Sequence, residues 1–166
     1  LPTGWECASV AGEWFGETAG GCSNHDTVAN NPQFLLTIRR PVDAVITLSQ
    51  HDQRIGAHGG GDSWDHAAIG FTLLYGAQLR RVCSRADLFR YEVADTDRFV
   101  HARERSLKQH LSMRGDGDQT TYLVLPCTFD AGVQSKFTLR VFTPKGSSAA
   151  SLVPVDTGQA GPSQLV

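Results

Sequence analysis

The sequence is poor in long apolar runs, in excess charge of either sign and in methionine. No apolar run approaches the ~20 residues that a membrane-spanning helix needs, which excludes such a helix. Lys and Arg number 15 against 17 Asp and Glu, so the chain lacks the basic excess typical of nucleic-acid-binding domains. With 166 residues, 40% hydrophobic and 19% charged, the composition is that of one soluble globular domain. A chain of this length buries roughly 70% of its unfolded surface, so folding requires no metal or disulfide.

Cysteine is also scarce, and its spacing shows neither a CxxC pair nor a zinc site. The four residues are Cys7, Cys22, Cys83 and Cys127. An even number would permit two disulfides in a secreted protein, but a chain able to build its own core favours reduced thiols. Met113 is the only methionine, and nothing near Leu1 has the pattern of a secretory signal. We therefore expect a segment of a longer protein.

Short β-prone runs separated by turn residues dominate the chain. We predict strands at residues 34–38, 44–48, 69–75, 79–83, 121–125 and 137–143. In the last run Phe137, Leu139 and Val141 alternate with polar residues, the pattern of a strand with one face on a core. Because no long helix separates consecutive strands, the sequence predicts an all-β antiparallel sandwich or barrel.

Other stretches interrupt this pattern. Residues 103–113 fit a helix, since Leu107 and Leu111 stand four apart, but they also fit a strand followed by a turn at Gly115. Residues 51–66 and 85–105 are predicted to be long surface loops. After residue 146 the chain is rich in small and polar residues and has no periodicity. This composition predicts a domain over 1–146 and a flexible linker or tail over 147–166.

Two kinds of metal ligand occur without a convincing pattern. Zinc-type ligands crowd a glycine-rich stretch in which ordering the chain around a metal would cost entropy, so we interpret it as a solvated loop. These ligands are His51, Asp52, His58, Asp62, Asp65 and His66. Acidic pairs could offer oxygen ligands to calcium, but they match no EF-hand loop and are also good turn sequences. The pairs are Asp62/Asp65, Asp95/Asp97 and Asp116/Asp118.

Signatures of catalysis are equally lacking. The sequence has no GxSxG elbow and no HExxH pair, and its glycine-rich stretch at 16–21 lacks the lysine of a phosphate-binding loop. We therefore predict no catalytic residue, no metal ligand and no cofactor, with calcium at the acidic pairs as the alternative.

Positive charge is concentrated in the middle of the chain. A basic face would attract anionic lipid headgroups or an acidic partner, by roughly 1 kcal/mol per basic residue held near a membrane surface. The candidate docking residues are Arg80, Arg81, Arg85, Arg90, Arg98, Arg103, Arg105 and Lys108. The alternative is a set of scattered charges on solvated faces, because Glu92, Asp95, Asp97 and Glu104 are interleaved with them.

One ordered series of motifs is more specific than any of these features. Its first part consists of Trp14 in a G-x-W context, Thr18-Ala19-Gly20-Gly21-Cys22, Asn24, and Asn31-Pro32-Gln33-Phe34. Residues 44–50 and 69–71 follow in order, and then residues 122–129 and 137–142. This series, which spans about residues 5–145, resembles the C2-like domain, or domain III, of calpain-type cysteine proteases.

The resemblance implies an eight-stranded antiparallel β-sandwich of the C2-like type. It also implies a non-catalytic regulatory or scaffolding domain of an intracellular, cytoplasmic protease, whose papain-like Cys, His and Asn lie outside this chain. The implied partners are the protease core and neighbouring domains, with anionic phospholipid at a membrane periphery or a protein as further candidates. The alternative is a docking module of a protease-inactive calpain-like protein. Animal calpains carry an acidic loop after N-P-Q, but residues 35–43 are short and basic here.

The motif residues themselves have a physical interpretation as structural residues. Gly20-Gly21 permits backbone conformations that other residues avoid, and Asn31-Pro32 directs the chain into an extended strand. Trp14 and Phe34 are large enough to anchor a sandwich core. We predict that Cys22 is a small buried residue rather than a nucleophile.

Overall fold

The computed structural model describes residues 4–51, 66–146 and 150–155. The strands in these ranges are β1 (Trp5–Trp14), β2 (Phe34–Ile38), β3 (Val42–Gln50), β4 (Ala68–Leu74), β5 (Glu92–Asp95), β6 (Val100–His101), β7 (Glu104–Leu111), β8 (Thr120–Thr128), β9 (Ser135–Pro144) and β10 (Ser151–Pro154). The α-helix α1 (Arg85–Tyr91) precedes β5, and two 3₁₀ helices (Gly16–Thr18 and Asp26–Asn30) follow β1. None of these helices is long and apolar enough to cross a membrane.

The strands form two antiparallel sheets that pack face to face, so the predicted all-β sandwich is confirmed. Sheet A has the order β1-β9-β3-β7, and sheet B has the order β10-β2-β8-β4-β5 with β6 paired to β4. The described ranges contain ten strands rather than the eight that the resemblance implied. Between the sheets, the Trp14 and Phe137 ring centroids lie 4.3 Å apart, and Phe34 meets Phe137 edge-on at 5.9 Å.

A second, smaller core covers the outer face of sheet B. Side chains of β8 are buried on both faces of that sheet. Leu123, Leu125 and Cys127 of β8 pack away from the first core, against residues such as Val28 and Leu88. The covering segments are the 3₁₀ helix Asp26–Asn30, with Cys22 just before it, and the chain from residue 79 through α1. Sheet B is therefore the middle layer of three, whereas the outer face of sheet A carries no such layer among the described residues.

The segment that fitted either a helix or a strand is the edge strand β7, which pairs with β3. Its residues alternate between more and less exposed positions. A separation of four residues places Leu107 and Leu111 on one face of a strand as well as on one face of a helix, so that spacing could not distinguish the two.

The segment at 85–105, predicted to be a loop, instead contains α1, β5 and β6. Conversely, the strand predicted at 79–83 is wrong, because this segment is a connection without ladder pairing. The buried side chain of Val82 belongs to the second core. Its apolar character reflects packing against sheet B rather than membership of a sheet.

The segment predicted to be a flexible tail contributes the edge strand β10 to sheet B. Leu152 lies opposite Leu36 of β2 and is only 9% exposed. The backbone N–H of Val155 donates to the carbonyl of Gln33 at 2.8 Å. Pairing with an existing sheet orders a segment whose own composition could not. Residues 147–149 and 156–166 lie outside the described ranges, so the domain boundary at residue 146 remains a prediction.

Candidate docking surfaces and the motif that supports them

Asn31 holds together the irregular segment between β1 and β2. Its side chain is fully buried. The Oδ1 atom accepts a hydrogen bond from the Gly20 N–H at 3.2 Å, while Nδ2 donates to the carbonyls of Gly21 at 2.8 Å and Val28 at 2.9 Å. A side chain at position 20 would have its Cβ 2.2 Å from the carbonyl oxygen of Thr27. The amide thus supplies partners to the Gly20 N–H and the Gly21 carbonyl, which belong to no sheet or helix, and it gives the Val28 carbonyl a second donor beside the Asn31 N–H.

Gln33 joins this segment to the connection that precedes α1. Its Oε1 accepts a hydrogen bond from the Val82 N–H, and its Nε2 donates to the Val82 carbonyl, both at 2.8 Å. The same Nε2 donates to the carbonyl of Ala29 at 3.0 Å. Gln33 therefore fixes the backbone at Val82, in the segment for which a strand was wrongly predicted. Pro32 precedes it at the entry to β2, and Phe34 begins that strand in the core.

The remaining motif residues lie around the same segment. The fully buried Trp14 donates through Nε1 to the Pro126 carbonyl at 3.1 Å, and the Thr18 hydroxyl accepts from the Phe15 N–H at 3.1 Å. Cys22 is buried and Asn24 is exposed.

The second buried thiol, Cys127, belongs to the same core as Cys22. Burial, with a smaller contribution from Cys22, raises the pKa of Cys127 well above its ordinary value. This thiol is therefore held protonated.

Acidic residues at the end of β5 form a turn. Oδ1 of Asp95 accepts a hydrogen bond from the Asp97 N–H at 2.8 Å, and Asp97 has a φ of 62°. Partial burial, followed by the proximity of Asp95 and then Asp97, raises the pKa of Glu92 above 4.5. Within the described ranges, no group of three or more His, Cys, Asp or Glu residues could hold a metal ion.

Most of the zinc-type ligands that the sequence singled out lie outside the described residues, as do Asp62 and Asp65 of the acidic pairs. The two ends of that stretch are described. The His51 Nε2 lies 3.5 Å from the Thr138 hydroxyl, and the His66 carbonyl lies 2.9 Å from Nδ1 of His101.

The basic residues predicted to form a docking face are divided between opposite sides of the sandwich. Arg85 and Arg90 belong to α1, in the layer over sheet B. The Arg85 guanidinium lies 3.5 Å from Asp26 and 5.7 Å from the Phe89 ring centroid. Lys108 is exposed on β7, at the edge of sheet A. These residues cannot contact one flat partner surface together.

Arg105 points to the opposite face of β7 from Lys108 and connects the two sheets. Its Nη1 donates to the carbonyls of Ile69, at 3.2 Å, and Arg98, and its Nη2 donates to the Thr96 carbonyl at 2.8 Å. These acceptors lie in or next to sheet B. The guanidinium thus stabilises the sandwich itself, which differs from the docking role predicted for Arg105.

Three connections meet at one end of the sandwich: residues 39–41, 75–84 and 112–119. The pairing of Ile38 with Thr120 and of Val42 with Leu111 places the first and third connections side by side. The second follows β4, which pairs with β8 in the same sheet. Together they carry five arginines, and we call this region the basic end. Its arginines are Arg39, Arg40, Arg80, Arg81 and Arg114.

A depression of about 430 Å³ opens at the basic end and is lined by residues that include Arg80, Arg114 and Asp116. The Arg114 guanidinium lies over two rings, 5.0 Å from the Tyr75 centroid and 5.8 Å from the Tyr122 centroid. Sequence reasoning missed Arg114, because residues so far apart in the chain show no local pattern. The only available signal was the basic loop after N-P-Q, which lies at the same end.

Comparison with known proteins gives a consistent result over most of the chain. The sequence matches the family model of the calpain large subunit, domain III, over residues 10–142. It is 30% identical to Calpain-A of Drosophila melanogaster over 153 residues, which cover 84% of this chain and 17% of that protein. It is 29% identical to Calpain-5 of Mus musculus over 156 residues, covering 89% of this chain and 23% of that protein.

Similarity also extends to a protein with a different name. A Dictyostelium discoideum protein, serine/threonine-protein kinase 4 homolog B, is 29% identical over 140 residues, which cover 81% of this chain and 11% of that protein. Among solved structures, the Yersinia pseudotuberculosis-derived mitogen covers 82% of this chain and is covered over 84% of its own, at 8% identity and a TM-score of 0.38. That similarity is too low to define a shared fold.

Proposed function

The chain belongs to the calpain large subunit domain III family, and from this premise we propose that it regulates and scaffolds a calpain-type cysteine protease. It is a non-catalytic domain of that protease type. In this proposal, peptide-bond cleavage is carried out by a papain-like core whose Cys, His and Asn lie elsewhere in the polypeptide. The chain spans less than a quarter of the length of the two calpain relatives described above.

This proposal rests on one observation: the polar side chains of the motif form hydrogen bonds within the domain. Asn31 and Gln33 direct their polar groups at the domain's own backbone, and Trp14 donates to Pro126. Side chains used in this way stabilise a rigid shape and are not available to bind or attack a substrate. A rigid domain with few convergent reactive groups suits a scaffold.

The buried thiols support the same proposal. A cysteine nucleophile reacts as the thiolate, which an electropositive and partly exposed environment favours. Cys22 and Cys127 are instead buried in an apolar core, and burial raises the pKa of Cys127. Attack on a peptide carbonyl by the Cys127 sulfur would require a thiolate that this environment disfavours, and the Cys22 sulfur is buried away from any substrate.

We propose as partners the protease core and the neighbouring domains of the same polypeptide, at an intracellular site. The Dictyostelium relative supports a role that is separable from proteolysis, because a similar region lies in a protein named as a kinase homologue. We propose no resident cofactor. Membrane or lipid docking by a protease-inactive relative is the less favoured alternative, because the basic residues predicted for it lie on opposite sides of the sandwich.

A protease assay tests the proposal directly. The purified 166-residue chain is incubated with fluorescein-labelled casein and a thiol reductant, with and without calcium, and papain serves as the positive control. We expect no cleavage by this chain. Thiol-dependent cleavage that the inhibitor E-64 abolishes would overturn the non-catalytic assignment.

The scaffolding role is tested in the longer polypeptide that carries this domain. Cross-linking mass spectrometry is expected to detect links between the domain and the protease core in the folded polypeptide. Denatured polypeptide should lose these links. A folded polypeptide in which the domain forms no links to any other region would contradict the scaffolding role.

A further inference from the structure

Arg114 is held in one orientation by its surroundings. Its N–H donates to the Thr120 hydroxyl at 2.8 Å, and that hydroxyl donates to the Arg114 carbonyl at 2.9 Å. Tyr122 donates its phenolic proton to the Ser112 carbonyl at 2.7 Å, so its oxygen can accept from Nε of Arg114 at 3.3 Å. With two tyrosine rings beneath it, the guanidinium loses little conformational freedom when it binds a ligand.

The side chain of Arg114 is exposed, and the outer edge of its guanidinium is free of hydrogen bonds to the part of the chain that the structure describes. Nη1 and Nη2 of Arg114 have no hydrogen-bond acceptor among the residues that the structure describes. Two parallel N–H groups of an arginine match the two oxygens of a carboxylate or a phosphate. Gly115 and Gly117 also line the depression, and they place no side chain over it. The Arg114 guanidinium is therefore preorganised to form a bidentate ion pair with an anionic group.

The charges around the depression favour separate carboxylates over a continuous anionic surface. Asp116 lines the depression beside Arg80 and Arg114, and Asp118 is exposed on the same connection. A membrane or a dianionic phosphate would meet these two carboxylates, whereas an extended peptide can place its acidic side chains away from them. Membrane docking also benefits from exposed apolar loop residues. Of the large hydrophobic residues that are exposed in the described ranges, none lies on the three connections of the basic end.

We propose that the basic end binds an acidic segment of a partner protein, with one Asp or Glu carboxylate paired to Nη1 and Nη2 of Arg114. Arg80, which also lines the depression, and Arg39, on the connection beside residues 112–119, strengthen the attraction for further acidic residues of that segment. The inference rests on the proposed scaffolding function and names the chemistry of its partner. The protease assay and this binding site remain separable, because failure to bind an acidic peptide would leave the absence of casein cleavage unchanged.

Fluorescence anisotropy with fluorescein-labelled hexaglutamate and the 166-residue chain tests the proposal at about 0.15 M salt. We expect saturable binding, and we expect Arg114→Gln to weaken it at least about tenfold through loss of a charge-assisted bidentate pair. Arg103→Gln is the matched control, because it removes the same charge from an exposed residue at the opposite end of the sandwich. This variant should bind like the unmodified chain.

Because Arg114 contacts the buried Tyr122, Arg114→Gln could weaken binding by causing misfolding. A further variant separates misfolding from loss of the ion pair. Asp116→Asn removes a competing carboxylate from an exposed loop and should tighten hexaglutamate binding about twofold to fivefold, a change that misfolding would not produce. Equal weakening by Arg114→Gln and Arg103→Gln would overturn the proposal. The proposal would also be overturned if the chain did not bind the peptide but sedimented with phosphatidylserine vesicles in an Arg114-dependent manner. That result would identify a membrane as the partner.

Discussion

At the scale of single residues, buried amide side chains supply hydrogen-bond partners to the irregular backbone segments of this sandwich. Asn31, Gln33 and Gln50 are each almost fully buried, and each bonds to at least two backbone groups. Gln50, for example, bonds to the carbonyls of Ala67 and Ala102 at 2.8 and 2.7 Å. An amide carries both a donor and an acceptor, so one side chain can satisfy several backbone groups that would otherwise be buried without partners.

Asn31→Ala should destabilise the domain strongly. The substitution removes the side-chain partners of the Gly20 N–H and the Gly21 carbonyl, whereas the Val28 carbonyl keeps the Asn31 backbone N–H. An unsatisfied buried group costs roughly 1–3 kcal/mol, and allowing for some access of water we expect a loss of about 2–4 kcal/mol in the free energy of unfolding. Urea denaturation followed by tryptophan fluorescence measures this loss.

Asn30→Ala is the control for this substitution, since Asn30 is the exposed neighbour of Asn31 in the sequence. We expect it to change the unfolding free energy by less than about 0.5 kcal/mol, as exposed substitutions usually do. If both variants unfolded at the same urea concentration as the unmodified chain, the proposed structural role of Asn31 would be wrong.

Glu92 gives a residue-scale prediction for pH dependence. Burial and two nearby aspartates raise its pKa above 4.5 in the folded state. A carboxyl group whose pKa is higher in the folded state than in the unfolded state stabilises the fold fully below its unfolded-state pKa. This contribution is lost as the pH rises through its folded-state pKa. Glu92→Gln should therefore stabilise the domain at pH 7 but not at pH 3.5.

The expected gain for Glu92→Gln at pH 7 is at most about 0.5 kcal/mol, because the side chain is largely exposed and water screens the repulsion. Thermal unfolding at several pH values measures it. Glu13→Gln makes the same charge change on the exposed face of β1 and serves as the control. A gain from Glu92→Gln that was the same at both pH values would contradict an origin in the raised pKa.

At the scale of elements, the sequence predicted best those strands that carry a run of apolar residues buried in a core. The bounds of β2 agree with the predicted run, and the predicted runs in β3, β4, β8 and β9 lie within or next to the observed strands. β1 was missed because its small and polar residues, such as Ala8, Ser9 and Ala11, show little apolar periodicity. It forms because its backbone pairs with β9 along its whole length, a long-range contact that local sequence does not encode.

The candidate site was predictable only in part, for a related reason. Arg80 and Arg81 were identified from local charge density, and they do lie at the basic end. Arg114 and its two tyrosines come from separate connections and strands, so only the folded register brings them together. Arg105 was misinterpreted because alternation along β7 turns its side chain inward, and that segment could not be assigned as a strand beforehand.

The contribution of β10 is an element-scale prediction that also tests the domain boundary. A chain ending at Gly146 would lack the strand that pairs with β2 and would expose surface now covered by Leu152. Burying a leucine contributes roughly 1.5–3 kcal/mol, so we expect the free energy of unfolding to fall by about 2 kcal/mol. Hydrogen exchange should show faster exchange of the β2 amides.

The matched control is a chain ending at Val155, which retains β10. We expect its unfolding free energy to equal that of the full chain. If the chains ending at Gly146 and Val155 were equally stable, the predicted domain limit at residue 146 would be supported and β10 would be dispensable.

At the scale of the whole molecule, the two ends of the sandwich differ in chemistry. One end carries five arginines on three connections. The opposite end carries exposed aromatic rings, since Phe15 is 62% and Phe129 is 42% exposed. Although the net charge is near neutral, the domain is therefore asymmetric along the strands, with arginines at one end and exposed aromatic rings at the other. Such a domain could engage different partners at its two ends, which is consistent with the proposed scaffolding role.

The last whole-molecule prediction concerns calcium. In the described ranges, Asp95 already accepts a hydrogen bond within its own turn, and no cluster of ligands is placed to hold a metal. We therefore expect 5 mM calcium to leave the melting temperature in chelator-treated buffer unchanged, whereas a site with a Kd one hundredfold lower would add about 2.7 kcal/mol. Differential scanning calorimetry measures the shift. A calcium-dependent rise that Asp62→Asn combined with Asp65→Asn abolished would assign a calcium site to the glycine-rich stretch, and one that Asp116→Asn abolished would assign it to the basic end.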